Sequence, residues 1–268
     1  YFFNNDLENI TLAPALRFLN GKLNFSANSG YQHNNLDRSK FSSNKRFVTS
    51  GNINYVPNSK FIFNASYSNF TTFTRIRPIT DPYYQRSPAD TLSFYQISQN
   101  TNSSIIYNFG KNYIKHTLTL IGSYQVSNQK QGNTTQLSIA IINGNLNYNL
   151  TFMKSKVSLG LMGNYNQVKS FANTITYLGP GITLSRSFLK NNLRLNLANI
   201  FNESLTGNNV TGLILSERAS VSYSPKTNKK YGKPSVSLNI IYANKIKTMQ
   251  QTASFNEFTG TINLNYSF

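Results

Sequence analysis

The chain has no cysteine and no tryptophan, only two histidines, and 8 acidic residues against 26 basic ones. Without cysteine there is neither a disulfide framework nor a thiolate metal site. The histidines, His33 and His116, and the carboxylates Asp6, Glu8, Asp37, Asp81, Asp90, Glu203, Glu217 and Glu257 are scattered. They supply no spaced ligand cluster for a metal and no paired acids for proton transfer, so no catalytic residue, metal or cofactor is expected. No apolar run reaches the ~18–20 residues that a membrane helix needs; "QLSIAIING" is among the longest. Charged residues make up 13% of the chain, about half the ~25% usual in soluble domains. The first residue is Tyr1, with no initiator methionine or signal peptide before it, as expected of a mature or truncated product.

What fills the chain is Asn, Ser, Thr and aromatics, with 17 Tyr and 19 Phe spaced along its 268 residues. Disordered chains are poor in aromatic and β-branched residues, so this spacing argues for folded structure. Alternation with a period of two dominates. In "KLNFSANSGY", Leu23, Phe25, Ala27 and Tyr31 share one face, and Asn24, Ser26 and Asn28 the other. "KHTLTLIGSYQV", "VSLGLMGNYN" and "LRLNLANIF" repeat the scheme. About thirteen strands follow, near 9–18, 23–32, 46–56, 61–71, 94–109, 114–127, 134–151, 157–167, 174–188, 193–203, 210–224, 235–246 and 254–268. Their connections alternate between lysine-bearing turns such as "LNGK" and "FMKSK" and more variable loops such as "HNNLDRSKFSSNKR".

Amphipathic strands of this length suit a membrane barrel, whose spans need only ~9–11 residues. A soluble sandwich would carry Lys and Glu on its outer face, whereas here the polar face is mostly uncharged and the charges sit in connections. The expected fold is a single all-β domain over residues 1–268, an antiparallel up-and-down transmembrane β-barrel.

The terminal "FTGTINLNYSF" resembles the C-terminal signature strand of Gram-negative outer-membrane β-barrel proteins. Phe258, Gly260, Ile262, Leu264, Tyr266 and Phe268 fall on that pattern's positions. The resemblance implies residence in the outer membrane and recognition of Ile262, Leu264, Tyr266 and Phe268 by the insertion machinery. With Phe268 on the periplasmic side, counting back through thirteen strands makes the first one descend from outside. An even strand count then calls for about 14, with one ascending strand before Tyr1, or for the C-terminal part of a larger barrel.

The net charge of +18 has two readings. Lysines in the periplasmic turns, Lys22, Lys60, Lys111, Lys154 and Lys190 among them, suit contact with anionic lipid and lipopolysaccharide headgroups. By alternation Arg17, Lys115, Arg194 and Arg218 face the lumen, the first three near its periplasmic mouth, and favour anions. Glu257 also faces the lumen, where an ion pair with some basic residue is one reading, its partner not singled out by the sequence. Glu217 shares parity with Leu213, Leu215 and Val221, so a bulge or slipped register is expected there. His33 is read as a loop residue and His116 as an interfacial one. Nucleic acid is not expected as a partner, because the aromatics take the lipid side. The stretch Phe73–Leu92 holds three prolines and is read as a loop that constricts the mouth or makes contacts through Arg75, Arg77, Tyr83, Tyr84 and Arg86. The leading functional expectation is a non-enzymatic, porin-like transport barrel for small hydrophilic or anionic solutes. The alternative is a barrel subunit that meets other envelope proteins in export or uptake machinery.

Overall fold

Alternating side chains place one set of groups on each surface of a strand, and the strands here join into one antiparallel sheet. The computed structural model describes residues 7–35, 42–76, 92–131, 137–207, 209–225, 233–246 and 254–267. The strands are β1 (Leu7–Leu12), β2 (Ala15–Phe18), β3 (Leu23–Asn35), β4 (Ser43–Asn58), β5 (Phe61–Ile76), β6 (Leu92–Lys111) and β7 (Ile114–Gln131). They continue as β8 (Leu137–Phe152), β9 (Val157–Ser170), β10 (Thr174–Phe188), β11 (Leu193–Thr206), β12 (Asn209–Tyr223), β13 (Lys233–Ile246) and β14 (Phe255–Ser267). A 3-10 turn, Leu189–Asn191, links β10 to β11.

From β3 onward each strand pairs with the next in sequence, an up-and-down order. Both β1 and β2 pair with β3, at Ser29–Asn34 and Leu23–Ser26 respectively, so they form one interrupted edge strand. The interruption is at Ala13–Pro14, where proline has no N–H to donate; an edge strand is where a sheet tolerates it. The fourteen strands therefore fill thirteen positions, one for each strand that the alternation predicts. The sheet is not closed: among the described residues β1 and β2 pair only with β3, and β14 pairs only with β13. Counting the antiparallel steps, both edges run in the same direction. An antiparallel closure takes an odd number of strands between them.

The strands extend further toward the variable loops than alternation indicates. β3 runs to Asn35 and β4 starts at Ser43, which puts His33 in a strand opposite Glu8 and Lys45 instead of in a loop. β5 runs to Ile76, so Arg75 pairs with Ser43 and Ser93 on a strand, correcting its reading as a loop residue. The remainder of that segment, with Arg77, Tyr83, Tyr84 and Arg86, lies outside the described residues. Near these ends the would-be apolar positions hold Lys45, Arg75, Lys130 and Lys169, so the pattern fades while backbone pairing continues. The connections 171–173 and 207–208 are as short as the lysine-bearing turns.

At the opposite end the turns need unusual backbone. Gly110 has φ +121, and a β-carbon there would stand 2.3 Å from the Ile114 carbonyl oxygen and 3.1 Å from His116 Cδ2. Gly110→Ala is expected to lower stability by about 1–3 kcal/mol. Gly163→Ala, whose added methyl meets nothing within 4 Å, serves as the neutral control. Urea unfolding of both variants in lipid vesicles checks this.

No hydrophobic side chain among the described residues is buried. Leu161 is 56% exposed, Ile182 59% and Leu146 46%, although each is flanked by paired strands. The sheet has no core of its own, and its apolar face is an external surface.

Candidate functional site: a polar face opposite an apolar one

Cross-strand register sets the composition of each face. One polar rung runs Arg17–Asn24–Asn54–Asn64–Ser104 across β2 to β6. Its amides are linked in series: Asn24 Nδ2 donates to Asn54 Oδ1 (3.5 Å), Asn54 Nδ2 to Asn64 Oδ1, and Asn64 Nδ2 to Ser104 Oγ (3.4 Å). A second rung holds Ser66, Asn102, Ser123, Asn143 and Asn166. There Asn102 Nδ2 donates to Ser66 Oγ (3.5 Å), Asn143 Nδ2 to Ser123 Oγ (2.9 Å) and Asn166 Nδ2 to Asn143 Oδ1. Short amides and hydroxyls opposite one another satisfy part of their hydrogen bonding and leave the rest for water or solute.

The structure places Arg17, Lys115, Arg194, Arg218 and Glu257 on this polar face, all exposed. Arg17, Lys115 and Arg194 adjoin the lysine-bearing turns, and Arg218 lies farther up β12. Arg194 Nε donates to Asn196 Oδ1 (3.1 Å), whose Nδ2 donates to Ser220 Oγ (3.1 Å). Asn196, Ser220, Asn239 and Arg218 line one hollow of about 310 Å³. Glu257 has no ion-pair partner among the described residues, so the lumenal pair that the sequence allows is not formed among them. Two further bases share this face, Arg46 over the Phe70 ring (5.9 Å) and Lys245 over Phe255 (5.2 Å). Alternation includes Arg46 in principle, but its neighbours look like loop. The bases Arg17, Arg46, Lys115, Arg194, Arg218 and Lys245 thus stand against the single acid Glu257 among the described strand residues of this face.

The apolar face carries most of the aromatics, although Phe70, Phe94, Tyr177 and Phe255 fall on the polar face toward the loops. Near the turns, edge and stacked contacts run Tyr55–Phe61–Tyr107–Phe109–His116–Tyr148. His116 stacks on Phe109 at 4.7 Å, and its Nδ1 lies 2.7 Å from the Tyr148 hydroxyl. A belt of this kind, apolar in body and polar at its tips, is what a membrane interface favours. In the same region Lys154 Nζ sits 4.3 Å over the Tyr113 ring. On β14, Ile262 (68% exposed), Leu264 (75%) and Tyr266 (53%) occupy the apolar face; Phe268 lies outside the described residues.

Glu217 does not occupy a bulge. The β11–β12 ladder runs unbroken from Leu193–Tyr223 to Ser204–Gly212, with its register shift only between Ser204 and Leu205. The acid therefore belongs to the apolar face, beside Asn199, which donates from Nδ2 to Glu217 Oε1 at 3.5 Å.

No protein-family model matches the sequence, and no curated protein matches it. Among solved structures, the chain is similar to the ferric preacinetobactin receptor BauA from Acinetobacter baumannii, with TM-score 0.53 and 10% identity. The match covers 98% of this chain and 52% of that one. CdiB from the same organism aligns with TM-score 0.36 and 10% identity, over 99% of this chain and 57% of that one. The chain thus spans little more than half the length of either. At this identity the likeness to the receptor shows the fold alone, that of an outer-membrane β-barrel protein.

Proposed function

We infer that the chain forms the wall of a non-enzymatic β-barrel in a Gram-negative outer membrane and passes small hydrophilic solutes, with a preference for anions. One observation carries this reading. A sheet in which no hydrophobic side chain among the described residues is buried presents one exposed apolar face and one face of hydrogen-bonded amides and hydroxyls. Hydrocarbon accommodates the first, and water the second. Asn and Ser are too short to fill a barrel of more than ~8 strands, so the polar face borders a wet space. Its excess of bases raises the local concentration of anions. Membrane lipid and lipopolysaccharide surround the apolar face, and the insertion machinery reads β14.

Planar bilayer recording tests this directly. Stepwise conductance is expected from protein whose folding is verified by heat-modifiable migration. A silent bilayer with correctly folded protein overturns the channel role and favours a second reading, a barrel subunit of an envelope complex. The position of Glu217 supports that second reading.

A further inference from the structure

Apart from Asn199, the rung containing Glu217 is otherwise apolar: Leu118, Tyr148, Leu161, Ile182, Asn199, Glu217, Tyr242 and Phe258 follow one another across β7 to β14. Asn199 and Glu217 lie near the middle of β11 and β12, with roughly 20 Å of strand on either side. Leu197 and Ala219 flank them on the turn side, and Phe201 and Leu215 on the loop side. The small Ala219 leaves space beside them, and an exposed hollow of about 550 Å³ opens there, walled by Ile182, Leu184, Ile240 and Tyr242. Arg218 also borders it, but by register its side chain belongs to the opposite, polar face and it makes no ion pair with Glu217. In a barrel wall this is mid-depth, where hydrocarbon solvates neither a carboxylate nor an amide. Among the described residues the one hydrogen bond to Glu217 comes from Asn199, which leaves most of the carboxylate's acceptor capacity unused by them.

We propose that this hollow seats a basic side chain of another membrane-embedded protein, docked against the apolar face of β10 to β13. The proposal rests on the membrane reading above. Charge complementarity selects the occupant: an acid in an apolar hollow is stabilised by a Lys or Arg brought in with its own apolar surroundings. A second copy packed by twofold symmetry brings Glu217 toward Glu217. It has little to offer in exchange. On this face of β10 to β14 the one basic side chain among the described residues is Arg186, two rungs toward the turns and already 4.7 Å over the Phe188 ring. Lipid amines remain at headgroup depth.

The test places a photoreactive amino acid at Ala219 in the full chain, expressed in native outer membranes, and maps the adducts by mass spectrometry. The expected adduct is a membrane-spanning segment of a different protein with Lys or Arg at the contact. Its yield should fall at least about tenfold in E217L and E217K. Replacing the mapped base by Glu should restore it in the E217K background. Adducts to lipid alone, adducts to a second copy, or an undiminished yield in E217L each overturn the proposal. The membrane reading fails separately, if wild-type protein neither fractionates with the outer membrane nor shows heat-modifiable migration.

Discussion

Leu146→Arg is expected to abolish insertion, whereas Asn147→Arg, one residue along the same strand, is expected to leave it intact. Both lie within β8, Leu146 on the apolar face opposite Leu120 and Gly163, and Asn147 on the polar face opposite Thr119 and Met162. Near the bilayer midplane a lipid-facing Arg costs about 2–4 kcal/mol, which is roughly thirty- to several-hundred-fold in the folding equilibrium. On the polar face the same guanidinium stays hydrated, among amides that accept its hydrogen bonds. The comparison is read from the folded fraction in vesicles across a urea series. Equal losses in both variants would refute the assignment of faces, and with it the barrel-wall reading. This pair is more telling than either variant alone, since strand propensity and chain position are nearly matched.

Replacing Arg17, Lys115, Arg194 and Arg218 together by Glu should reverse the ion preference of the proposed channel. Each base contributes on the order of 1 kcal/mol to an anion about 4 Å away even at the dielectric of water. Three of them lie at one end, beside the turns, but on β2, β7 and β11, roughly 20–25 Å apart along the sheet, so their fields overlap only at low ionic strength. Reversal potential in a salt gradient is the measurement, with a change of sign expected at low ionic strength. The effect should shrink near 1 M salt, where screening acts within about 3 Å. Arg46 and Lys245 are left in place and keep the loop end basic, so the single substitution Arg46→Glu separates the two ends. An unchanged sign would show that permeating ions do not pass the polar face.

Alternation made the sheet and its faces legible because a half-exposed strand must sort its side chains, and sorting by two is hard to mimic. It failed where one side of the strand ceases to need apolar groups. Lys45, Arg75 and Lys130 continue the ladder in positions that read as loop, and His33 was misread with them. Glu217 was misjudged for the opposite reason. An acid among Leu213, Leu215 and Val221 contradicts the pattern, and the simplest repair is a bulge, but the ladder keeps strict register and retains the contradiction. The bases on the polar face follow from parity alone. Their hydrogen-bonded neighbours, such as Asn196 with Ser220, required knowing which residue of β11 stands opposite which residue of β12. The interruption of the edge strand at Pro14 was within reach of the sequence, since proline cannot donate to the pairing.

The amide rungs also bear on how the strands find one another. A repeat of two tolerates a slip of two residues: every apolar group stays on its own face, so amphipathy does not distinguish the correct pairing from its nearest errors. The rung Asn24–Asn54–Asn64–Ser104 does. Sliding β4 by two residues against β5 sets Asn54 opposite Ile62 in one direction, which removes its partner amide. The bulge between Tyr55 and Asn58, which contains Pro57, is a second fixed mark close to the same turn. Side chains that line a solute path in the finished wall would thus act earlier as a key for alignment, selecting one register from several of equal hydrophobicity.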